Sequence, residues 1–307
     1  MNLSTFNIFK NQNYINGVVI DKATLVKLKV ILLEMLTDFD KIADKYNLYY
    51  TLCGGTALGA VRHKGFIPWD DDVDIFMTRE SYNKFLKIYE NELKDKYTLH
   101  SPETTPELGM PLAQLSLNGT IYKTHLAPER KNPGIFIDIF IIENIPDNIL
   151  LRYLHGFVSL FLGLGLSCSR FYKDREFYLN SFSNADKTTV KAIKDKIMIG
   201  RIFTLFLSTK KWTKMTNHWN SICKNNKSLY VSVPSGRKHY FGELYLREKM
   251  RNRKKVLFEN IELPVMQDYD YYFTKLYGSD YMTPPPEADR EVHCLFELDF
   301  GDLKKEV

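Results

Sequence analysis

The sequence predicts an α/β protein, a mixed β-sheet core with flanking helices and an inserted helical subdomain. Three observations predict it. Over 22–142, apolar residues at helical spacing alternate with short runs of period two. Over 148–224, long helical patterns replace the strands. From 229 to 265 short alternating segments return. At 307 residues, 44% hydrophobic and 26% charged, the chain can bury a sizeable core and is not globally disordered. The expected division is a core over 1–147, a helical insertion over 148–228, and a segment over 229–307 that completes the core.

Residues 1–20 are polar and aromatic by turns and receive no function. Leu25, Leu28, Leu32, Met35, Phe39 and Ile42 share one face of a helix over 22–46, with Asp21 placed to cap it. Residues 48–53 read as a first strand leading into Gly54. Residues 79–93 read as a helix with Tyr82, Phe85, Leu86 and Tyr89 inward, 97–100 as a short strand, and 101–109 as a loop. Residues 112–117 alternate and Asn118-Gly119 is a hairpin turn, so 120–123 is expected to pair back. Residues 125–131 are expected to form a polar loop. Pro133-Gly134 opens GIFIDIFII, apolar on both sides of Asp138, which predicts a central, doubly covered strand. A carboxylate there needs a partner, either a buried arginine or a metal ion.

Residues 150–167 are strongly apolar, interrupted by Arg152, His155 and glycines at 156, 163 and 165. A second apolar patch over 201–207 is followed by Lys210, Lys211, Trp212 and Lys214. The simpler reading is a helical subdomain with its own core. The sharper one is peripheral membrane association, with apolar residues in lipid and cations on anionic head groups. The basic run Arg247, Lys249, Arg251, Arg253, Lys254 and Lys255 is a solvated face or a holder of a polyanionic acceptor. DYDYYFTKLY, over 268–277, is an aromatic-rich helix. Arg290 and His293 follow the prolines and are candidates to reach back to the site.

The chemistry concentrates in 50–78, YTLCGGTALGAVRHKGFIPWDDDVDIFMT, where Asp70, Asp71, Asp72 and Asp74 crowd four like charges into five positions. Such charges repel, and desolvating them is costly unless cations neutralise them. A hard divalent ion such as Mg²⁺ takes carboxylate oxygens and leaves room for substrate phosphate. Residues 72–76 read as a strand, so Asp72 and Asp74 share a face while Val73 and Ile75 point the other way. Asp70 and Asp71 are expected in the preceding loop, to steer or solvate. Gly54-Gly55 ahead of a helix lets backbone amides approach a phosphate, and Arg62, His63 and Lys64 add positive charge. Singly, each feature has a plain reading as a turn, a solvated loop or a surface histidine. In this order they make a kit for phosphoryl transfer.

Composition narrows the partners. A net charge of +5 suits an anionic substrate or membrane surface and is too weak to argue nucleic-acid binding. The aromatics, with 19 Tyr and 20 Phe, supply rings that can box a choline-like cation. Cys53, Cys168, Cys223 and Cys294 show no zinc spacing and read as reduced thiols of a cytoplasmic protein. The N-terminus lacks the apolar core of a signal peptide, and no apolar run is read as long enough for a membrane span. The expected location is therefore the cytoplasm or the inner face of the cell membrane.

GGTALGAVRHKGFIPWDDDVDI resembles the signature of the LicD phosphotransferases, to which the fukutin-related proteins are also similar. GIFIDIF and FENIELPVMQDYDYYFTKLYGSDYMTPPP resemble further segments of that family, although Phe258-Glu259-Asn260 stands where relatives commonly carry FEG. The resemblance covers about 48–142 and 256–293. It implies a nucleotidyltransferase-like fold whose pattern is a helix-opening Gly-Gly, an Asp-x-Asp strand and a third acidic strand, matched here by Gly54-Gly55, Asp72/Asp74 and Asp138. By the same resemblance Asp72, Asp74 and Asp138 would hold Mg²⁺ (or Mn²⁺), with Asp138 as third ligand or base. Gly54, Gly55 and Thr56 would cradle a phosphate, and Arg62 or Lys64 would neutralise the leaving group. His63, Asp70, Arg290 and His293 are further substrate-binding candidates. The implied reaction moves phosphocholine, or a similar phospho-substituent, from CDP-choline or another CDP-linked donor. The acceptor would be a hydroxyl of a glycan or lipid-linked oligosaccharide (capsule, teichoic acid or lipopolysaccharide). Two alternatives stay open: a nucleotidyltransferase acting on a sugar or small molecule, and a non-catalytic nucleotide- or glycan-binding module. Retention of all three carboxylates argues against the latter.

Overall fold

The computed structural model describes residues 5–9, 14, 15, 17–290 and 293–305. Its strands are β1 (Tyr50–Leu52), β2 (Asp74–Thr78), β3 (Tyr97–His100), β4 (Ala113–Leu117), β5 (Ile121–Thr124), β6 (Phe136–Asn144), β7 (Tyr230–Ser232), β8 (Leu244–Leu246), β9 (Arg253–Phe258), β10 (Ile261–Met266) and β11 (Leu295–Asp299). Its helices are α1 (Thr5–Phe9), α2 (Lys22–Lys45), α3 (Gly54–His63), α4 (Arg79–Glu92), α5 (Ile149–Lys173), α6 (Arg175–Ser181), α7 (Lys187–Phe206), α8 (Thr209–Asn220), α9 (His239–Gly242), α10 (Arg247–Arg251) and α11 (Tyr269–Tyr277). The central sheet is mixed, in the order β1-β2-β6-β4-β3, with β7 and β8 continuing from the end of β6. β2 and β6 run parallel, and their neighbours are antiparallel. The α/β class is as the sequence predicts.

Local chemistry sets the elements. Asp21 accepts from the Thr24 N–H and starts α2, whose Leu28, Leu32, Met35 and Phe39 are buried. Thr78 caps α4 in the same way, and Tyr82, Phe85 and Tyr89 turn inward. Both helices pack on β6, the strand flanked by β2 and β4. Alternation along β2 buries Ile75 and Met77 on one face and leaves Asp74 on the other, beside Phe76, which meets Tyr272 of α11 edge-on at 5.6 Å. The helices over 148–228 pack into two small clusters, one within themselves and one shared with both ends of the fold. Leu162 and Leu166 pack on Trp212, and Phe171, Tyr178, Phe182 and Ile193 gather around Phe9 of α1 and Cys294.

Four expectations need correction. β2 begins at Asp74, so Asp72 lies in the loop before it, although Asp138 N–H still donates to the Val73 carbonyl at 2.8 Å. Residues 120–123 do not pair back on β4, because β3 and β6 already occupy both of its edges. The turn forms, with Gly119 at φ 77, and β5 pairs instead with β11. The stretch 125–131 is not simply polar and solvated: Ala127 and Arg130 are buried, and the His125 ring lies 4.3 Å from that of Phe9. Burial, with Arg170 nearby, holds the His125 imidazole down at about 3. Finally, α5 is long and apolar enough to cross a membrane by length and composition, though a third of that stretch is buried within the protein.

Candidate active site

The first turn of α3 is built to receive carboxylates. Gly54 sits at φ +54, and a Cβ there would fall 2.6 Å from Asp74 Oδ2. A Cβ on Gly55 would fall 2.7 Å from Asp70 Oδ2. The glycine pair therefore lets two acids lie against a helix N-terminus, where the helix dipole favours negative charge. Thr56 Oγ1 accepts from the Asp74 N–H at 2.9 Å, and Tyr272 Oη accepts from the Gly54 N–H at 3.0 Å. The loop before the aspartates is clamped twice. Lys29 Nζ donates to the Ile67 and Pro68 carbonyls, and Glu259 accepts from the Phe66 N–H at 3.0 Å.

Asp74 and Asp138 are register partners across the parallel pair β2/β6, so their carboxylates stand side by side on strands about 4.8 Å apart. Opposite Asp138 on β4 is Gln114, fully buried, whose Nε2 donates to Asp138 Oδ1 at 2.7 Å. Buried Arg130 donates in turn to Gln114 Oε1. The arginine foreseen as one partner of Asp138 is present, but it acts through an intervening amide.

Asp71 and Asp72 enter from the loop. Asp71 accepts from Tyr122 Oη at 2.7 Å and pairs with His293 Nδ1 at 2.5 Å, while His293 Nε2 lies 3.4 Å from Asp72 Oδ2. Asp71, Asp72 and His293 each offer a ligand atom within 4.8 Å of the others. Burial opposes a charge on His293, and Asp71 and Asp72 outweigh it, raising the imidazole well above its usual value. Burial alone would raise the Asp71 carboxyl as well, but His293 and Tyr122 bring it below the ordinary range. The other acids move the opposite way. Burial, then Asp72 and Asp138, holds the Asp74 carboxyl far above normal, and burial with Asp72 does the same to Asp70. Burial pushes Asp138 up to about 7 against the Gln114 hydrogen bond. Anions packed together without enough countercharge behave this way. A donor set of carboxylate oxygens fits a hard divalent cation.

The other candidates lie apart or serve the frame. Arg62, His63 and Lys64 form the far end of α3, about 12–15 Å from Gly54 along the axis. Arg62 donates to His63 Nε2 and to the Tyr281 carbonyl, both at 2.9 Å, and exposed Lys64 closes the helix at φ 58. The Arg290 guanidinium stacks on Trp69 at 4.0 Å, and His63 meets that ring edge-on at 6.4 Å. The sequence reading missed Gln114, Arg130, Tyr122, Tyr272 and the pairing of Asp71. Only Gln114 left a trace, as a polar residue inside an apolar strand pattern.

Residues 47–151 match a family described as "LicD/FKTN/FKRP, nucleotidyltransferase domain". The chain is 30% identical over 291 residues to the lipopolysaccharide cholinephosphotransferase LicD of Haemophilus influenzae, a likeness covering 90% of this chain and 98% of the relative. So long an alignment takes in most of the helical region, where no family motif was recognised in the sequence. Shorter likenesses, 40% over 62 residues and 43% over 54, connect it to uncharacterised proteins of Rickettsia typhi and Rickettsia prowazekii, about a fifth of each chain.

Proposed function

This chain belongs to the LicD family, and from that premise we propose that it transfers phosphocholine from CDP-choline to a hydroxyl of a cell-surface glycan precursor, lipopolysaccharide in the first instance. The observation that carries the reading is the pairing of Asp74 with Asp138 on adjacent parallel strands, beneath the N-terminus of α3 and beside Asp72. In this reading 1–147 and 229–307 make the catalytic core and 148–228 is the insertion. The protein works on the cytoplasmic side, where a CDP-linked donor would be met.

The acceptor oxygen attacks the phosphorus that carries choline, the bond from that phosphorus to the CMP oxygen breaks, and CMP leaves. Asp138 takes the hydroxyl proton. Gln114 engages one of its oxygens, which leaves the other for this task. The N–H groups of Gly55 and Thr56 bind a donor phosphate oxygen, since the Gly54 N–H is already given to Tyr272. His293, charged between Asp71 and Asp72, lowers the repulsion within the cluster. Mg²⁺ or Mn²⁺ held by Asp72 and Asp74 would supply the positive charge that a diphosphate donor needs in such an acidic pocket.

Product analysis tests the reaction. CDP-choline labelled separately in choline and in cytidine is incubated with a deacylated lipopolysaccharide acceptor. The acceptor is expected to gain choline and phosphate and no cytidine. Cytidine on the acceptor would make the protein a nucleotidyltransferase, and donor binding with no transfer would make it a binding module.

A further inference from the structure

One side of α5 is uncovered. Leu150, Tyr153, Leu154, Phe157 and Phe161 recur at helical spacing and are each at least half exposed. α7 runs alongside and adds Ile202, Leu205 and Phe206, also more than half exposed. Phe161 packs edge-on against Phe203 at 5.9 Å, which joins the two exposed stretches into one surface. Single exposed apolar side chains are ordinary, but a stripe along several turns of one helix that continues onto another is not.

Its charge setting is one-sided. Residues 148–173 contain no Asp or Glu, and neither do residues 197–242, which carry eight Lys and Arg, while Asp195 of α7 is paired with Lys191 at 3.0 Å. Exposed Arg201 stands within the α7 stretch, and exposed Lys210, Lys211 and Lys214 open α8 directly after it. The opposite side of α5 is committed to the protein. His155 bonds Tyr240 Oη at 3.0 Å and the Trp219 carbonyl at 2.9 Å, and Ser159 Oγ donates to Asn220 Oδ1 at 2.7 Å. Despite its length, α5 is therefore tied to the protein along one side, with a third of its most apolar stretch buried.

We propose that this α5/α7 face docks on an anionic lipid bilayer, with its apolar side chains at the head-group boundary and the cationic rim of Arg201, Lys210, Lys211 and Lys214 over lipid phosphates. Charge selects this occupant over a second copy of the chain, which would bring two cationic rims together. The purpose of docking, meeting an acceptor carried on lipid, rests on the function proposed above. The docking itself does not.

The test is flotation of the full chain with vesicles of phosphatidylcholine alone or mixed with phosphatidylglycerol, at low and high salt, beside a transfer assay on a water-soluble acceptor. The chain is expected to float with the mixed vesicles at low salt and to release at high salt. Lys210→Glu/Lys211→Glu/Lys214→Glu is expected to weaken partitioning about a hundredfold, and Phe157→Ser/Phe161→Ser/Leu205→Ser at least about tenfold, with solution transfer unchanged in both. Failure of the wild type to float, flotation of both variants like the wild type, or a solution dimer that the serine variant dissolves would overturn the proposal. Flotation without transfer in the soluble assay would leave docking standing and remove the proposed reaction.

Discussion

Gln114 is the residue through which a buried cation reaches the site. Its side chain joins Arg130 to Asp138, and it is fully buried between them. Gln114→Leu leaves Asp138 without its donor and strands Arg130, and it is expected to lower kcat about 10–100-fold while changing the donor KM less. Arg130→Met is expected to lower kcat in the same direction, and the double variant to be no worse than Gln114→Leu, because the two act in series. Additive losses would place Arg130 outside the chain. Lys196, wholly buried with Nζ 2.5 Å from Thr5 Oγ1, is a second buried group, remote from catalysis. Burial, then Arg170, lowers its ammonium from 10.5 to about 7. The folded protein thus binds fewer protons than the unfolded chain between those values, and stability falls as pH drops through that window. Lys196→Met removes this loss, so its advantage over wild type in unfolding free energy, read by urea denaturation, should widen by about 1–3 kcal/mol from about pH 9 to about pH 6. A constant difference would show that Lys196 does not titrate in the window. At this scale the aspartates were legible because crowded like charges violate an ordinary folding rule. Arg130 was not, because it stands in a stretch that reads as polar loop and its burial comes only from tertiary packing.

At the scale of elements, the junction of β1 and α3 sets the site. Gly54→Ala must place a methyl 2.6 Å from Asp74 Oδ2 at a positive φ. It is expected to cost about 1–3 kcal/mol in urea unfolding and to remove most activity, because relief comes only by moving the carboxylate. Unchanged stability with full activity would mean that the close approach is not required. Caps and periodicity made α2 and α4 readable from sequence. Pairing was less readable. Asn118-Gly119 does turn, but a local pattern cannot report that β3 and β6 have filled both edges of β4, so the true partner of β5 lies some 170 residues away in β11. The same limit shortened β2. Alternation suggests a strand from Asp72, while the ladder begins at Asp74.

Across the whole molecule, charge is divided by region. Acids crowd against α3, and the helices α5 and α7 present an exposed apolar face beside Arg201, Lys210, Lys211 and Lys214. The chain end returns through β11 to bring His293 onto Asp71 and Asp72. That placement was foreseen only as a candidate reach, since no local pattern in the sequence fixes a contact across 222 positions. We propose that these carboxylates form a metal-dependent site for a CDP-linked donor. Calorimetric titration of CDP-choline, with and without Mg²⁺, on wild type and Asp74→Asn tests it most directly. Binding is expected to require Mg²⁺ and to be lost in the variant. Tight binding indifferent to both the metal and the substitution would contradict it, because the nucleotide would then sit elsewhere.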